Sequence, residues 1–184
     1  AAMRETIQAV RGLLAGERVA LDGRFLRWSG EAYLRFAPPR ITPIYLGAMG
    51  PKMLALAGQE ADGVLPLLFP PEHYFNVQPL LASGIATRSP QLAPLDFAAC
   101  LWVSLSEDRD AARRVLAQKI AYYGQSLGPL ILQQLGLVRE DFAAIERAIH
   151  VEKDEEKAIG LVDERMLRIG IVGGPGEVIE RLEP

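Results

Sequence analysis

The sequence has 184 residues and a formal net charge of −3, so it lacks the strongly basic surface that binds nucleic acids or anionic membranes. Apolar residues make up 49% of the chain and charged residues 23%, a balance typical of a globular domain with an ordinary core. The single cysteine, Cys100, excludes an internal disulfide and fits a reducing compartment. The apolar runs are broken by prolines and no secretory leader is recognised, so we expect a cytoplasmic protein that does not cross a membrane.

The chain opens with a predicted helix, followed by a predicted irregular loop. Apolar residues between positions 3 and 14 recur at helical spacing, and Gly16 ends the helix. In residues 17–40, Asp22-Gly23 marks a turn and Pro38-Pro39 forces an extended backbone, which indicates an irregular loop.

After the loop, strand and helix patterns alternate four times. The predicted strands are 43–48, 63–68, 97–105 and 169–172. Pro66 lacks a ladder donor and is expected to shorten the second of them. Alternating strands and helices predict a parallel sheet with right-handed crossovers, either an open doubly wound sheet or part of a closed barrel. A whole barrel needs eight strands and roughly 250 residues, about twice what this chain provides.

The best candidate for a binding site is the loop that follows the first predicted strand. Glycines at 47 and 50 allow close approach of a ligand to the backbone, and Pro51 begins a helix whose N-terminus favours an anion. The amides of Ala48, Met49, Gly50 and Lys52, with the Lys52 ammonium, are the expected donors. The alternative is a tight turn that binds nothing.

Other polar positions are weaker candidates. The stretch 173–176, Gly-Gly-Pro-Gly, also joins a strand to a helix; a glycine-rich turn is the preferred interpretation and a second anion site the alternative. Asp62 precedes its strand, which places it on the face of the sheet that serves stability. His73 is interpreted as a solvated residue in a first helical turn, and the alternative is a position over the mouth of the pocket. His150 lies in a charged run and is also expected to be solvated.

Metal binding and nucleophilic catalysis find no support in the sequence. Two distant histidines and one cysteine form no metal-ligand set. Cys100 has no base nearby in sequence, and Trp102 on a central strand is expected to pack in the core.

Several stretches together resemble one family, the luciferase-like monooxygenases, and in particular their relatives that use coenzyme F420. Segment 43–63 is similar to the fifth strand and helix of that family, and segment 3–17 to the helix before them. Segments 106–123 and 171–182 resemble the helix after the seventh strand and the eighth strand with its closing helix. The resemblance implies that residues 1–184 are a single domain fragment, the C-terminal half of a (β/α)8 TIM-type barrel with strands five to eight.

The resemblance also implies an activity. A flavin- or deazaflavin-dependent oxidoreductase is expected, with coenzyme F420 as cofactor, FMN as the alternative, and an unidentified small organic substrate. In the family the loop after the fifth strand binds the cofactor phosphate, which assigns this role to Gly47, Ala48, Met49, Gly50 and Lys52. The usual acid and base residues lie in the first four strands, so no catalytic residue can be assigned here. A non-redox phosphate-binding barrel lyase or isomerase, or a non-catalytic half-barrel, are the alternatives.

Two further expectations concern the substrate and the partners. Sugar-phosphate dehydrogenases of the family carry a lysine just after the strand at 64–69, where this chain has only apolar residues and prolines. An apolar substrate, or a partner that covers this segment, is therefore expected rather than a sugar phosphate. With its N-terminal half absent, the chain is expected to form a homodimer or to pair with that half, and to be inactive alone.

Overall fold

The structure is a computed structural model that describes residues 1–183, whose contacts define two compact units. The first unit comprises residues 1–66 and 77–99, and the second comprises residues 67–76 and those from Cys100 onward. Within the first unit lie α1 (Ala2–Leu14), β1 (Val19–Asp22), β2 (Arg27–Ala32), β3 (Tyr45–Leu46), α2 (Pro51–Glu60), β4 (Gly63–Val64) and β5 (Asp96–Phe97). Helix α3 (Tyr74–Ile85) begins in the second unit and continues in the first.

The prediction of an irregular loop over residues 17–40 is wrong, because β1 and β2 form an antiparallel hairpin there. The turn closes with a bond from the Gly23 amide to the Leu26 carbonyl, 2.8 Å between nitrogen and oxygen. The Glu5 carboxylate on α1 accepts the amides of Phe25 and Leu26 at 2.8 and 2.9 Å. These strands are short and mostly exposed, so they lack the long apolar alternation by which a strand is recognised in a sequence.

The first unit contains a parallel sheet in which β4 lies between β3 and β5. The predicted strand 97–105 is in fact divided into two short strands. Pro66 explains the break, because it cannot donate the ladder bond that would follow the bond from the Ala98 amide to the Val64 carbonyl. The expected shortening of the strand by Pro66 is therefore confirmed.

Two arginines satisfy the carbonyl groups at the C-terminal end of α2. Arg88 Nη1 lies 3.0 Å from the carbonyl oxygen of Gly58 and 2.6 Å from that of Ala61. Arg11 Nη2 lies 3.0 Å from the carbonyl oxygen of Glu60. These bonds replace the intrahelical partners that the last turn of a helix lacks, and so fix α2 from its C-terminal end.

The second unit is mainly helical around one short parallel pair of strands. Its elements are β6 (Val103–Leu105), α4 (Arg109–Tyr123), α5 (Pro129–Gln134), α6 (Ala143–Arg147), α7 (Glu155–Gly160), α8 (Glu164–Leu167), β7 (Ile171–Gly173) and α9 (Pro175–Leu182). β6 and β7 are parallel, and a single parallel bridge joins Leu67 to Cys100. The core is formed by the fully buried side chains of Phe69, Ile120, Phe142, Ile145 and Ile169.

The predicted strand segments therefore pair in parallel within each unit, and helices connect them. None of the helices within residues 1–183 is both long enough and apolar enough to cross a membrane.

Candidate functional site

The loop between β3 and α2 has the geometry of an anion-binding helix N-terminus. Gly50 is the N-cap in extended conformation, and its carbonyl oxygen accepts the amides of Met53 and Leu54, each at 3.0 Å. The bonded amides thus begin at Met53. Within residues 1–183, the amides of Gly50 and Lys52 have no hydrogen-bond acceptor. Together with the helix dipole, these two donors favour an anion at this position.

The charge and the space at this N-terminus also suit an anion. No acidic residue lies in the first turn of α2, and no side chain caps it. The Lys52 side chain is exposed and forms no ion pair with any carboxylate among the described residues. A Cβ atom added to Gly50 would meet nothing within 4 Å, so the approach to the loop is open. Ala48 is buried and anchors the loop to its unit, whereas Gly47 and Met49 are exposed.

The glycine-rich stretch at 173–176 is different, because a carboxylate of the chain already occupies the N-terminus of α9. The Gly174 amide donates to Glu177 Oε2 at 2.9 Å, and Glu177 Oε1 lies 2.8 Å from Arg109 Nη2. Gly173 has φ of +149°, a conformation that favours glycine. An added anion would meet the Glu177 carboxylate, so the interpretation as a structural turn is the better one.

The interpretation of His73 as a solvated residue is wrong. The side chain is 5% exposed, and its Nδ1 lies 3.0 Å from Gln134 Oε1. His73 ends a short 3₁₀ turn, Pro71–His73, and so does not lie in the first turn of an α-helix. Sequence alone did not distinguish this turn from the exposed first turn of an α-helix.

Asp62 has the structural role that its position before β4 predicts. Its Oδ2 accepts the Ile44 amide at 2.8 Å, and its Oδ1 lies 2.9 Å from Arg11 Nη1. The carboxylate therefore holds the residue that precedes β3, at the end of the sheet opposite the loop at 47–52.

One polar pair was not predicted from the sequence. The Tyr45 hydroxyl donates to Asp96 Oδ2, although the two residues lie 51 positions apart. The Tyr45 ring crosses β4 over Gly63, where an added Cβ would come within 2.2 Å of a ring carbon. The hydrogen bond to Asp96 is the main cause that raises the pKa of Tyr45 above 10.0, so the phenol stays protonated. The only signal in the sequence was a glycine at the first position of a strand.

The remaining candidates have packing roles or are exposed. The Trp102 ring lies 4.4 Å from that of Phe69, between centroids, and packs against the core of the second unit. Cys100 is a free, partly buried thiol and His150 is exposed. Across residues 1–183, no group of three or more histidine, cysteine, aspartate or glutamate side chains is arranged to hold a metal ion.

The family model described as luciferase-like monooxygenase matches residues 1–184. Among curated proteins, the chain is 33% identical over 184 residues to the 5,10-methylenetetrahydromethanopterin reductase of Archaeoglobus fulgidus, covering 98% of this chain and 55% of that one. It is 30% identical to the F420-dependent glucose-6-phosphate dehydrogenase of Beutenbergia cavernae, covering 99% of this chain and 50% of that one. The chain thus spans about half the length of the curated relatives it matches.

A solved structure agrees with this result. The coenzyme F420 dependent tetrahydromethanopterin reductase from Methanopyrus kandleri superposes with a TM-score of 0.83 at 30% identity, covering 98% of this chain and 53% of the other. The match confirms the fold class predicted from the sequence, a portion of a TIM-type barrel with parallel strands and helical crossovers. The assignment to strands five to eight and the single-domain organisation remain predictions.

Proposed function

Because the chain belongs to the luciferase-like monooxygenase family, we propose that it is part of a coenzyme F420-dependent oxidoreductase that acts on a small organic substrate. The relatives support F420 over FMN, since the dehydrogenase and the solved reductase are both F420-dependent. When bound, such a cofactor supplies the hydride chemistry, and the protein binds and orients it.

The observation that carries the proposal is the open N-terminus of α2. The amides of Gly50 and Lys52 lack acceptors, the Lys52 ammonium lacks a carboxylate, and no side chain caps the helix. This donor set fits a phosphate group of the cofactor, which brings negative charge to a helix dipole. Gly47, Ala48 and Met49 complete the loop that would hold it.

The surroundings of β4 support an apolar substrate. The segment 63–71, which includes β4, contains no lysine or arginine. A sugar phosphate would find no cation in this segment, so we infer that the substrate is less polar than glucose 6-phosphate. The acid and base groups of the reaction are proposed to belong to the part of the barrel that these residues do not form.

The exposed side chains support a partner for each unit. Tyr45 and Leu65 in the first unit, and Val103 and Leu105 in the second, are more than 40% exposed although they lie on or next to strands. Apolar strand residues of this kind are normally covered. The proposed cover is the rest of the barrel, with a second copy of this chain as the alternative. The free Cys100 thiol supports a cytoplasmic location.

The cofactor site can be tested with Gly50→Asp and a matched control, Gly128→Asp. Both glycines are extended N-caps followed by proline, and a Cβ at either meets nothing within 4 Å, so the fold should accept both changes. At Gly50 the carboxylate would stand where the phosphate binds, with a repulsion of about 1 kcal/mol in water and about 4 kcal/mol at a protein surface. F420 affinity measured by calorimetry should therefore fall at least about fivefold in Gly50→Asp and stay unchanged in Gly128→Asp. Equal affinities for the two variants would place the phosphate elsewhere.

A further inference from the structure

A groove in the second unit combines apolar walls with one unpaired cation. It lies between the strand residues 101–104 and α4, and its volume is about 540 Å³. Sites for small molecules typically measure about 300–1,000 Å³. Every residue that lines the groove follows Cys100, so the groove belongs to the second unit alone and shares no residue with the loop at 47–52.

One face of a strand and one side of a helix line the groove. The Ile171 amide donates to the Trp102 carbonyl at 2.8 Å, so the ladder between β6 and β7 includes Trp102. Trp102 and Ser104 are two residues apart in this ladder and share a face. Val115 and Lys119 are four residues apart on α4 and share one side of the helix.

The Lys119 ammonium lies against two aromatic rings. Its Nζ is 4.7 Å from the centroid of the Tyr123 ring and 5.8 Å from that of the Trp102 ring. The Trp102 ring is itself held by the core, because its centroid lies 4.4 Å from that of Phe69. Among the described residues that line the groove, Lys119 carries the only charge, and within residues 1–183 it forms no ion pair. The groove therefore favours an anion.

The Ser104 hydroxyl is a second polar group without a partner. Ser104 is 8% exposed, and its hydroxyl forms no hydrogen bond within residues 1–183. The hydroxyl oxygen is not fully enclosed, and because Ser104 lines the groove, its remaining surface opens there. Buried polar groups are normally hydrogen-bonded. An unpaired hydroxyl at the base of a groove thus indicates that a polar group of a ligand completes it.

The combination of these groups selects one class of ligand. Aromatic walls stack with a flat apolar ring, and a lysine beside them pairs with a carboxylate attached to that ring. An inorganic anion would leave the apolar walls uncovered, and a cation would meet the Lys119 charge. We propose that the groove is a second binding site, one that takes an aromatic carboxylate. Lys119 pairs with the carboxylate, Ser104 supplies a hydrogen bond, and the ring lies against Trp102 and Tyr123.

The charge is tested with 2-naphthoate and its uncharged analogue 2-naphthamide, each titrated by calorimetry into the chain, Lys119→Met and Lys157→Met. Methionine keeps the apolar stem of lysine and removes the charge. 2-Naphthoate should bind about fivefold more weakly to Lys119→Met than to the unmodified chain, whereas 2-naphthamide should bind equally to both. Lys157 lies on α7 and does not line the groove, so Lys157→Met should leave both affinities unchanged.

The position of the probe is tested with three further variants. Val115 is 60% exposed, so Val115→Phe should fold normally while its ring fills the groove, and both probes should bind severalfold more weakly. Ser104→Ala should weaken 2-naphthoate severalfold, because it removes one hydrogen bond. The chain has two tryptophans, so in Trp28→Phe the fluorescence comes from Trp102. This emission should change on addition of 2-naphthoate, with the dissociation constant that calorimetry gives.

Each contrary result overturns the inference. Absence of saturable 2-naphthoate binding would show that the groove takes no such anion. An unchanged affinity in Lys119→Met, or an equal loss in Lys157→Met, would remove the role of Lys119. Binding that leaves the Trp102 emission unchanged, or that persists in Val115→Phe, would place the probe on another apolar surface. None of these results bears on the proposed function, because the groove and the loop at 47–52 have no residue in common.

Discussion

The packing of α2 against α3 provides a sharp test of the structure around the candidate site. The two helices meet at Gly58 and Gly84 without intervening side chains. A Cβ on Gly84 would lie 1.9 Å from the Ala55 carbonyl oxygen and 3.0 Å from the Gln59 amide nitrogen. The obstacles are backbone atoms of α2, so no side-chain rotation can relieve the contact. Gly84→Ala must push the helices apart until the first distance reaches at least 3.0 Å.

The expected cost follows from two opposing effects. Overpacking of a well-packed contact costs about 1–3 kcal/mol, and the upper part of that range applies because the backbone itself must move. Alanine in a helix stabilises the folded state by about 0.5–1 kcal/mol relative to glycine. The net loss in the free energy of unfolding is therefore about 2 kcal/mol. For a chain of this size, the melting temperature should fall by about 4–8 °C.

Thermal unfolding followed by circular dichroism measures this change, with Gly160→Ala as the matched control. Gly160 is the last residue of α7, and a Cβ there meets nothing within 4 Å, so the same substitution causes no clash and brings at most the helix gain of about 0.5–1 kcal/mol. Opposite signs for the two variants are expected. A Gly84→Ala protein that melts at or above the wild-type temperature would refute the close approach of α2 and α3.

Two further predictions concern acid stability and association. The Glu5 carboxylate accepts hydrogen bonds from the Leu26 amide and, with a smaller effect, from the Phe25 amide, and these bonds lower the pKa of Glu5 below 4.5. The carboxylate therefore anchors the hairpin fully above that pH, and the anchoring is lost as the pH falls. The protection of the hairpin amides, taken as their hydrogen-exchange rate relative to an unstructured peptide at the same pH, should fall in acid for the wild type but stay independent of pH for Glu5→Gln, and identical pH profiles of protection would contradict this role. Residues 1–184 expressed alone should form dimers or larger species in light scattering, because the exposed apolar side chains and sheet edges lack a cover. They should not turn over F420, because the acid and base groups are proposed to lie in the rest of the barrel. A stable monomer with measurable turnover would contradict that expectation.

The sequence alone determined those features that depend on neighbouring residues. The alternation of strand and helix, the start of α2 at Pro51, and the interruption of the ladder at Pro66 all follow from short-range rules of backbone geometry and periodicity. The loop at 47–52 could be proposed as an anion site for the same reason, because a glycine-rich turn before a helix forms its donors locally.

Only the tertiary structure decided which polar groups are already satisfied. The sequences at 47–52 and 173–176 look alike, but Glu177 and Arg109, which lies 68 positions before it, fill the second site while the first stays open. The buried His73 lies within hydrogen-bond distance of Gln134, and a hydrogen bond joins Tyr45 to Asp96 across Gly63. These contacts join residues that are distant in the chain. Their partners are set by strand register and helix packing, which no local pattern specifies.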